Sequence, residues 1–308
     1  MKMKDHKVLT LFYHRINTLK SDYHQLCVTP SNFREQMHYL KEHYVLVRFE
    51  EDWSLLDSDA VVVTFDDGYL DNLEFAVPIL DELQVPATIF VSTGTMDQSK
   101  EMWWDELEYL MLVGEHIPVY FQLEDEEFGY IWDTSDLLHR INCYRSIHHL
   151  MKNYICLEKR ENWMKQLWHW RGLKRGARKE NLTVSEEECR ELNKSKMISV
   201  GAHTVNHPSL AVLSKTEQEK EIKCSINSLS DVLGERVTLF SYPFGNYRAN
   251  YNEDSMEICQ KCGIIKAAST DNFLWNPKIN PYQIPRRVVR NWNLDDFANN
   301  VKKYWEGN

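Results

Sequence analysis

Residues 60–69 read Ala60-Val61-Val62-Val63-Thr64-Phe65-Asp66-Asp67-Gly68-Tyr69. The first six are β-branched, aromatic or small, which predicts a buried strand. The run then passes directly into two adjacent carboxylates. Like charges at the end of a buried strand repel one another and lose solvation unless something offsets the cost. Successive residues of a strand point in different directions, so one carboxylate can ligate while its neighbour stays available. Gly68 permits a sharp turn after them. By themselves the two aspartates admit two readings: a helix N-cap with an acidic first turn, or part of a cation site.

Outward from this strand, Val8–Tyr13, Tyr44–Phe49 and Pro86–Val91 are further strand-like runs, and Ser31–Glu42 reads as a helix. Leu70–Leu83 carries apolar residues at helical spacing, with Pro78 inside the pattern predicting a kink. The β-α-β-α rhythm implies a mostly parallel sheet or barrel with helices outside it. Residues 97–182 break the rhythm. They are rich in Trp, Tyr, His and charge, open on Trp103-Trp104, and read as one long, mainly helical insertion. Its basic run, Arg171 to Lys179, reads as a solvated face that could attract a phosphate-bearing ligand. Strands then return at Met197–Ala202, Val237–Tyr242 and Gly263–Ala268. Helices are expected over Glu186–Asn193, over Thr216–Leu233 with Gly234 as the stop, over Tyr251–Cys262, and from Leu294. A short strand precedes Arg286 and Arg287. One domain over 1–308, interrupted by the insertion, is the expected organisation.

The chain has 308 residues, 36 basic and 46 acidic, for a net charge of −10. That balance excludes a dedicated nucleic-acid binder. No window holds 18 consecutive apolar residues, so no transmembrane helix is expected. The apolar run before His14 is shorter than a signal-peptide core, and a cytoplasmic location is the expectation. Seven cysteines, an odd number, suit reduced thiols. Cys259 and Cys262 form a lone CxxC that reads as the end of a helix.

A second cluster, His203-Thr204-Val205-Asn206-His207-Pro208, follows a predicted strand. Two imidazoles plus one carboxylate form a common three-ligand set for a catalytic divalent metal with a position left for water. A third, Phe240-Ser241-Tyr242-Pro243-Phe244-Gly245, is a strand followed by a Pro-Gly turn. All three lie at C-terminal strand ends, where parallel α/β folds bind ligands.

On these residues the chain resembles the polysaccharide deacetylase family (carbohydrate esterase family four, the chitooligosaccharide-deacetylase homology domain). TFDDG is similar to the family's first motif, HTxxHP to its second and YPFG to a form of its third, in family order, over roughly 8–96 and 183–290. The resemblance implies a distorted (β/α)7 barrel, with the long helical insertion outside the family core. It implies metal-dependent hydrolysis of an acetyl group from an N-acetylated sugar, glycan or sugar-carrier substrate. By position, Asp67, His203 and His207 would hold the divalent metal, zinc as first expectation with cobalt, nickel or iron as alternatives. Asp66 would be the general base. A backbone N–H near Tyr242 or Phe244 would serve the oxyanion.

The chain departs from the family in two places. Tyr242 stands where many members carry Arg, and no His follows His207, so the family's C-terminal leucine-x-histidine motif is missing. Phe12-Tyr13-His14-Arg15 resembles a subgroup in which a YH segment opens the domain. First and last strands are neighbours in a barrel, so His14 is the expected general acid. Arg286 or Arg287 is expected to pair with Asp66. Substrate contacts are expected from Tyr242, Pro243, Phe244, Gly245, Trp103, Trp104, Arg286 and Arg287. Other deacylation on the same site, or a non-catalytic sugar-binding role, are the alternative functions. Oligomeric state is left open.

Overall fold

The computed structural model describes residues 6–125 and 129–307. It divides into two compact units, Met1–Asp97 with Thr183–Asn308, and Gln98–Leu182. The chain opens with β1 (Val8–Tyr13), the short pair β2 (Arg15–Ile16) and β3 (Cys27–Val28), α1 (Pro30–His43) and β4 (Val45–Leu46). Next come β5 (Ala60–Phe65), α2 (Val77–Leu83) and β6 (Ala87–Val91). The inserted unit holds α3 (Trp103–Leu112), β7 (Tyr120–Glu124), β8 (Gly129–Asp133), α4 (Leu137–Asn153) and α5 (Leu157–Trp170). The first unit resumes with α6 (Glu186–Leu192), β9 (Ile198–Ala202), α7 (Lys215–Leu233), β10 (Leu239–Ser241), α8 (Glu253–Lys261), β11 (Lys266–Ala268), β12 (Arg287–Val288) and α9 (Leu294–Glu306).

The main sheet has the order β11-β10-β9-β6-β5-β1-β12, with β4 also pairing β5. Its neighbours are parallel, β1 and β12 included. The sheet curls until its ends meet: Ile284 donates to Ala267 O at 2.9 Å and accepts from Ser269 N–H at 2.8 Å, just ahead of β12. This is the distorted barrel expected, curled and mostly parallel.

Strand alternation separates two cores. Leu9, Leu11, Val61, Val63, Phe65, Ile89 and Phe240 pack with Phe33, Leu40, Leu80, Ile226 and Phe297 of the surrounding helices. The intervening residues Val8, Ala60, Val62, Phe90, Leu239 and Ala268 pack with Phe49, Trp53 and Trp275 inside the curl. Gly201 belongs to this arrangement, because a Cβ there would lie 2.5 Å from the Phe90 ring. Trp53 and Trp275 meet edge to face at 5.2 Å and plug the N-terminal end of the barrel. The same inward rows become polar toward the other end, through Thr64 to Asp66 and through Leu239 to Ser241. The apolar plug and the polar mouth are thus two ends of one set of alternating positions.

The structure departs from expectation at four points. The 70–83 helix is split: Asn72–Ala76 forms a wide π turn in which Val77 N–H reaches back to Asn72 O, and α2 starts at Val77. Pro78 has no N–H to continue the α ladder, so the break precedes it. The 44–49 strand shrinks to Val45–Leu46. The inserted unit is mainly helical but contains the antiparallel pair β7–β8. Its basic run is also less open than expected. Arg175 pairs with Glu106 and Glu161, and Arg178 pairs with Glu101, so two of its arginines neutralise carboxylates of the same unit.

Trp53→Ala is expected to destabilise the protein by about 3–5 kcal/mol, the range for deleting a buried large aromatic side chain. Urea unfolding checks this, with the midpoint shifted down.

Candidate active site

Asp66 and Asp67 leave β5, His203 leaves β9, His14 leaves β1 and Ser241 ends β10. Arg286 immediately precedes β12. The curl therefore delivers these residues to one mouth. Gly68 sits there at φ +74°, and a Cβ on it would come within 3.0 Å of Val91.

Asp66 is paired bidentately with Arg286, Nη1 to Oδ1 at 2.8 Å and Nη2 to Oδ2 at 2.6 Å. Arg286 is buried and fully committed. It donates also to Ser241 Oγ (2.8 Å), Thr64 Oγ1 (3.2 Å) and Ser269 O (3.0 Å). Phe12 and Phe90 rings flank its guanidinium at 4.6 and 5.7 Å. Burial pushes the Asp66 carboxyl up, but Arg286 and then His203 outweigh it and hold the group below the ordinary range. Asp66 is thus kept as a carboxylate, in a fixed orientation, inside a buried site.

Among the described residues no arginine pairs with Asp67. Its Oδ1 is buried without a hydrogen-bond donor in proper geometry. His207 Nε2 and His203 Nε2 lie 3.3 and 3.5 Å from that oxygen. One ligand atom from each of Asp67, His203 and His207 falls within 4.8 Å of the others. His203 Nδ1 lies 2.7 Å from Ser241 O. A carbonyl only accepts, so Nδ1 carries a hydrogen and Nε2 is the ring atom turned to Asp67. Burial raises the Asp67 carboxyl, while the two histidines more than reverse this and leave it far below the usual carboxylate range. A carboxylate oxygen without a donor, faced by two ring nitrogens, fits a divalent cation by donor type and number.

His14 is anchored through the chain on both sides of it. Asn72 Nδ2 donates to His14 O at 2.8 Å. Arg15 Nε donates to Asp71 Oδ2 at 2.9 Å, Ile16 N–H donates to Asp71 Oδ1 at 3.2 Å, and the Arg15 guanidinium lies 4.2 Å from the Tyr69 ring centroid. The His14 ring meets Phe12 edge-on at 5.5 Å. Burial lowers its pKa most, and the charges of Asp67 and Asp66 partly restore it, leaving it below 6.5.

The other expected residues separate. Of the two arginines, Arg286 makes the pair with Asp66, whereas Arg287 turns to the outer side with its guanidinium 4.9 Å from the Tyr304 ring centroid. Both side chains are buried, and every guanidinium nitrogen of Arg286 is already bonded within the protein. Tyr242 is corrected as well. Its ring is fully buried and stacked on Tyr251 at 3.9 Å, and its N–H is spent on Ala268 O. That removes it both as a substrate contact and as the oxyanion donor. Phe244, at φ +61°, lays its ring against His207, with centroids 4.7 Å apart. Pro243 is buried, and Gly245, at φ +64°, completes the turn. Trp103 and Trp104 lie in the inserted unit edge to face at 5.5 Å, with Trp103 also against His148, and both are buried. Sequence reasoning missed Ser241, Thr64, Phe12 and Phe90. Thr64 and Phe12 follow by alternation from Asp66 and His14, which sequence reasoning had already identified.

Fold and site together define a barrel hydrolase with a buried Asp-His-His donor set beside an arginine-held carboxylate. The sequence profile of the polysaccharide deacetylases matches residues 56–117 and 161–265, more than half of the chain. The chain belongs to the polysaccharide deacetylase family. It is 22% identical to a putative polysaccharide deacetylase of Bacillus subtilis, over 87% of this chain and 66% of that one, so it spans just under two thirds of that relative. It is 20% identical to a poly-beta-1,6-N-acetyl-D-glucosamine N-deacetylase of Staphylococcus aureus, over 100% of this chain and 86% of that one. Among solved structures, the deacetylase PplD of Streptococcus pyogenes matches with a TM-score of 0.61 and 17% identity, covering 96% of this chain and 98% of that one. IcaB from Ammonifex degensii matches with 0.61 and 17%, covering 97% of each. At these identities the solved structures show the fold.

Arg286→Ala leaves the Asp66 carboxylate buried without its cation. The protein is expected to lose about 3–5 kcal/mol of stability. Where the variant still folds, burial then dominates and the carboxyl pKa rises. The acid limb of kcat/KM should therefore move to higher pH, and a pH–rate profile of the two proteins checks the sign.

Proposed function

We propose that this protein is a metal-dependent N-deacetylase acting on N-acetylated glucosamine units of a glycan or glycan precursor. The observation that carries the reading is the pairing at one mouth of two adjacent carboxylates with different neutralising partners. Asp66 is held ionised by Arg286, while Asp67 faces His203 and His207. Family membership and the names of the relatives support the substrate class. No helix among the described residues is long and apolar enough to cross a membrane.

Asp67, His203 and His207 would hold the cation, and zinc suits two imidazoles and a carboxylate. A divalent ion bound there supplies Lewis-acid chemistry, lowering the pKa of water and polarising the amide carbonyl. Asp66 accepts the proton of the water that attacks the acetyl carbon. Its two oxygens are already fixed by Arg286, so little reorientation is needed. The amide C–N bond then breaks, and the leaving nitrogen needs a proton, because an amide anion is a poor leaving group. His14 gives that proton. Burial lowers its pKa, which makes the imidazolium a readier donor and at the same time a smaller share of the ring near neutral pH. The products are acetate and a free amine on the sugar.

Acetate release from N-acetylglucosamine oligomers is expected, and is expected to stop with a chelator and return with added zinc or cobalt. Asp66→Asn should keep bound metal by elemental analysis while turnover falls by about 10²–10⁴-fold, the usual worth of a general base. His203→Ala should lose both. Full activity in Asp66→Asn would rule out the mechanism. His14→Ala should lower kcat by about 10²–10⁴-fold with bound metal unchanged; an unaltered kcat would remove His14 as the acid.

A further inference from the structure

The loop that carries both histidines has an unusual backbone. Thr204 lies at φ +64° and His207 at φ +49°. A β-branched residue in the left-handed region stays there only when its surroundings impose it. Three contacts hold the loop to its neighbours: His203 N–H to Val91 O at 3.0 Å, Thr93 N–H to Thr204 O at 3.1 Å, and Gly94 N–H to Val205 O at 2.8 Å. Inside the loop, His207 N–H donates to Thr204 Oγ1 at 3.1 Å.

Three further hydrogen bonds converge on one side chain from outside the motif. Glu221 stands two turns into α7, 4% exposed. Its Oε2 accepts from Val205 N–H at 3.0 Å and from Asn206 N–H at 2.8 Å. Its Oε1 accepts from Asn206 Nδ2 at 2.7 Å. A buried carboxylate is costly unless it is paired or well bonded. Among the described residues no lysine, arginine or histidine forms an ion pair with Glu221. It is bonded instead by the two residues at the centre of the span between the metal-facing histidines. Charge-assisted hydrogen bonds of this kind are about twice as strong as neutral ones. Helix α7 is itself set at its start by a capping box, in which Ser214 and Glu217 satisfy each other's backbone N–H.

We infer that Glu221 is a positioning residue for the metal centre. From α7 it clamps Val205 and Asn206, and so fixes the spacing of the His203 and His207 rings. This rests on the metal-site reading given under Proposed function. Residues that orient metal ligands are worth about 10–100-fold in metal affinity.

The test is titration of the metal-free protein with Co2+, followed by its visible absorption, for the wild type, Glu221→Gln and Glu221→Ala, with the melting temperature of each metal-free protein measured beside it. Affinity should fall in the order wild type, Gln, Ala, with the alanine variant about 10–100-fold weaker and its cobalt spectrum altered. The glutamine keeps one acceptor oxygen and the shape of the side chain, so it carries the comparison if the alanine variant does not fold. A folded variant that binds Co2+ with the wild-type constant and spectrum overturns the inference, even if its melting temperature has dropped. That outcome leaves the metal site itself intact. A wild-type protein that takes up no Co2+ overturns both the metal-site reading and the role of Glu221.

Discussion

Two carboxylates on consecutive residues, both buried, are the constraint to which the mouth of this barrel answers. Their repulsion and desolvation cannot be met by a single partner, because adjacent residues face different ways. The fold meets them from two sides of the curl. Arg286 comes from the edge that β12 adds to β1 and takes Asp66. His203 and His207 come from the loop beyond β9 and take Asp67. Ser241 sits between the two systems, its hydroxyl on Arg286 and its carbonyl facing His203 Nδ1. One residue thus links the arginine that holds Asp66 to the orientation of the His203 ring.

Much of this was legible in the sequence because it is carried by local signals. A β-branched run into Asp-Asp-Gly, and a His pair after a strand, report strand ends directly. The adjacency of first and last strands in a barrel was enough to bring His14 into consideration, and β1 does pair with β12. The choice between Arg286 and Arg287 was left open, and alternation decides it: only one of two consecutive strand residues can face inward. The same rule explains Tyr242. Ser241 faces the barrel, so the next side chain turns outward and stacks on Tyr251. A motif position had suggested a ligand contact where the parity of the strand dictates packing.

What the sequence did not show is long-range. Glu221 lies in an amphipathic helix among other acidic and polar residues, and nothing local distinguishes its carboxylate from an exposed one. The π turn at Asn72–Ala76 was visible only as a proline in a helical pattern. Its effect is to set Asp71 and Asn72 against the chain around His14, which joins the segment after the first motif to the end of β1. The β7–β8 pair was obscured by the aromatic and charged composition of the inserted unit.

The edges of the inserted unit carry a consequence for how such a protein can change. Thr183 Oγ1 bonds to Thr95 O at 3.1 Å and to Thr95 Oγ1 at 2.8 Å, and Val184 N–H bonds to Gly68 O at 2.9 Å. The two points where the chain leaves the barrel and re-enters it are therefore stapled together within the barrel itself. From the barrel's side, residues 98–182 are one closed loop, and loop-closure entropy grows only slowly with length. For the barrel, the closure cost of that loop therefore depends little on its length so long as Thr95 and Thr183 stay joined.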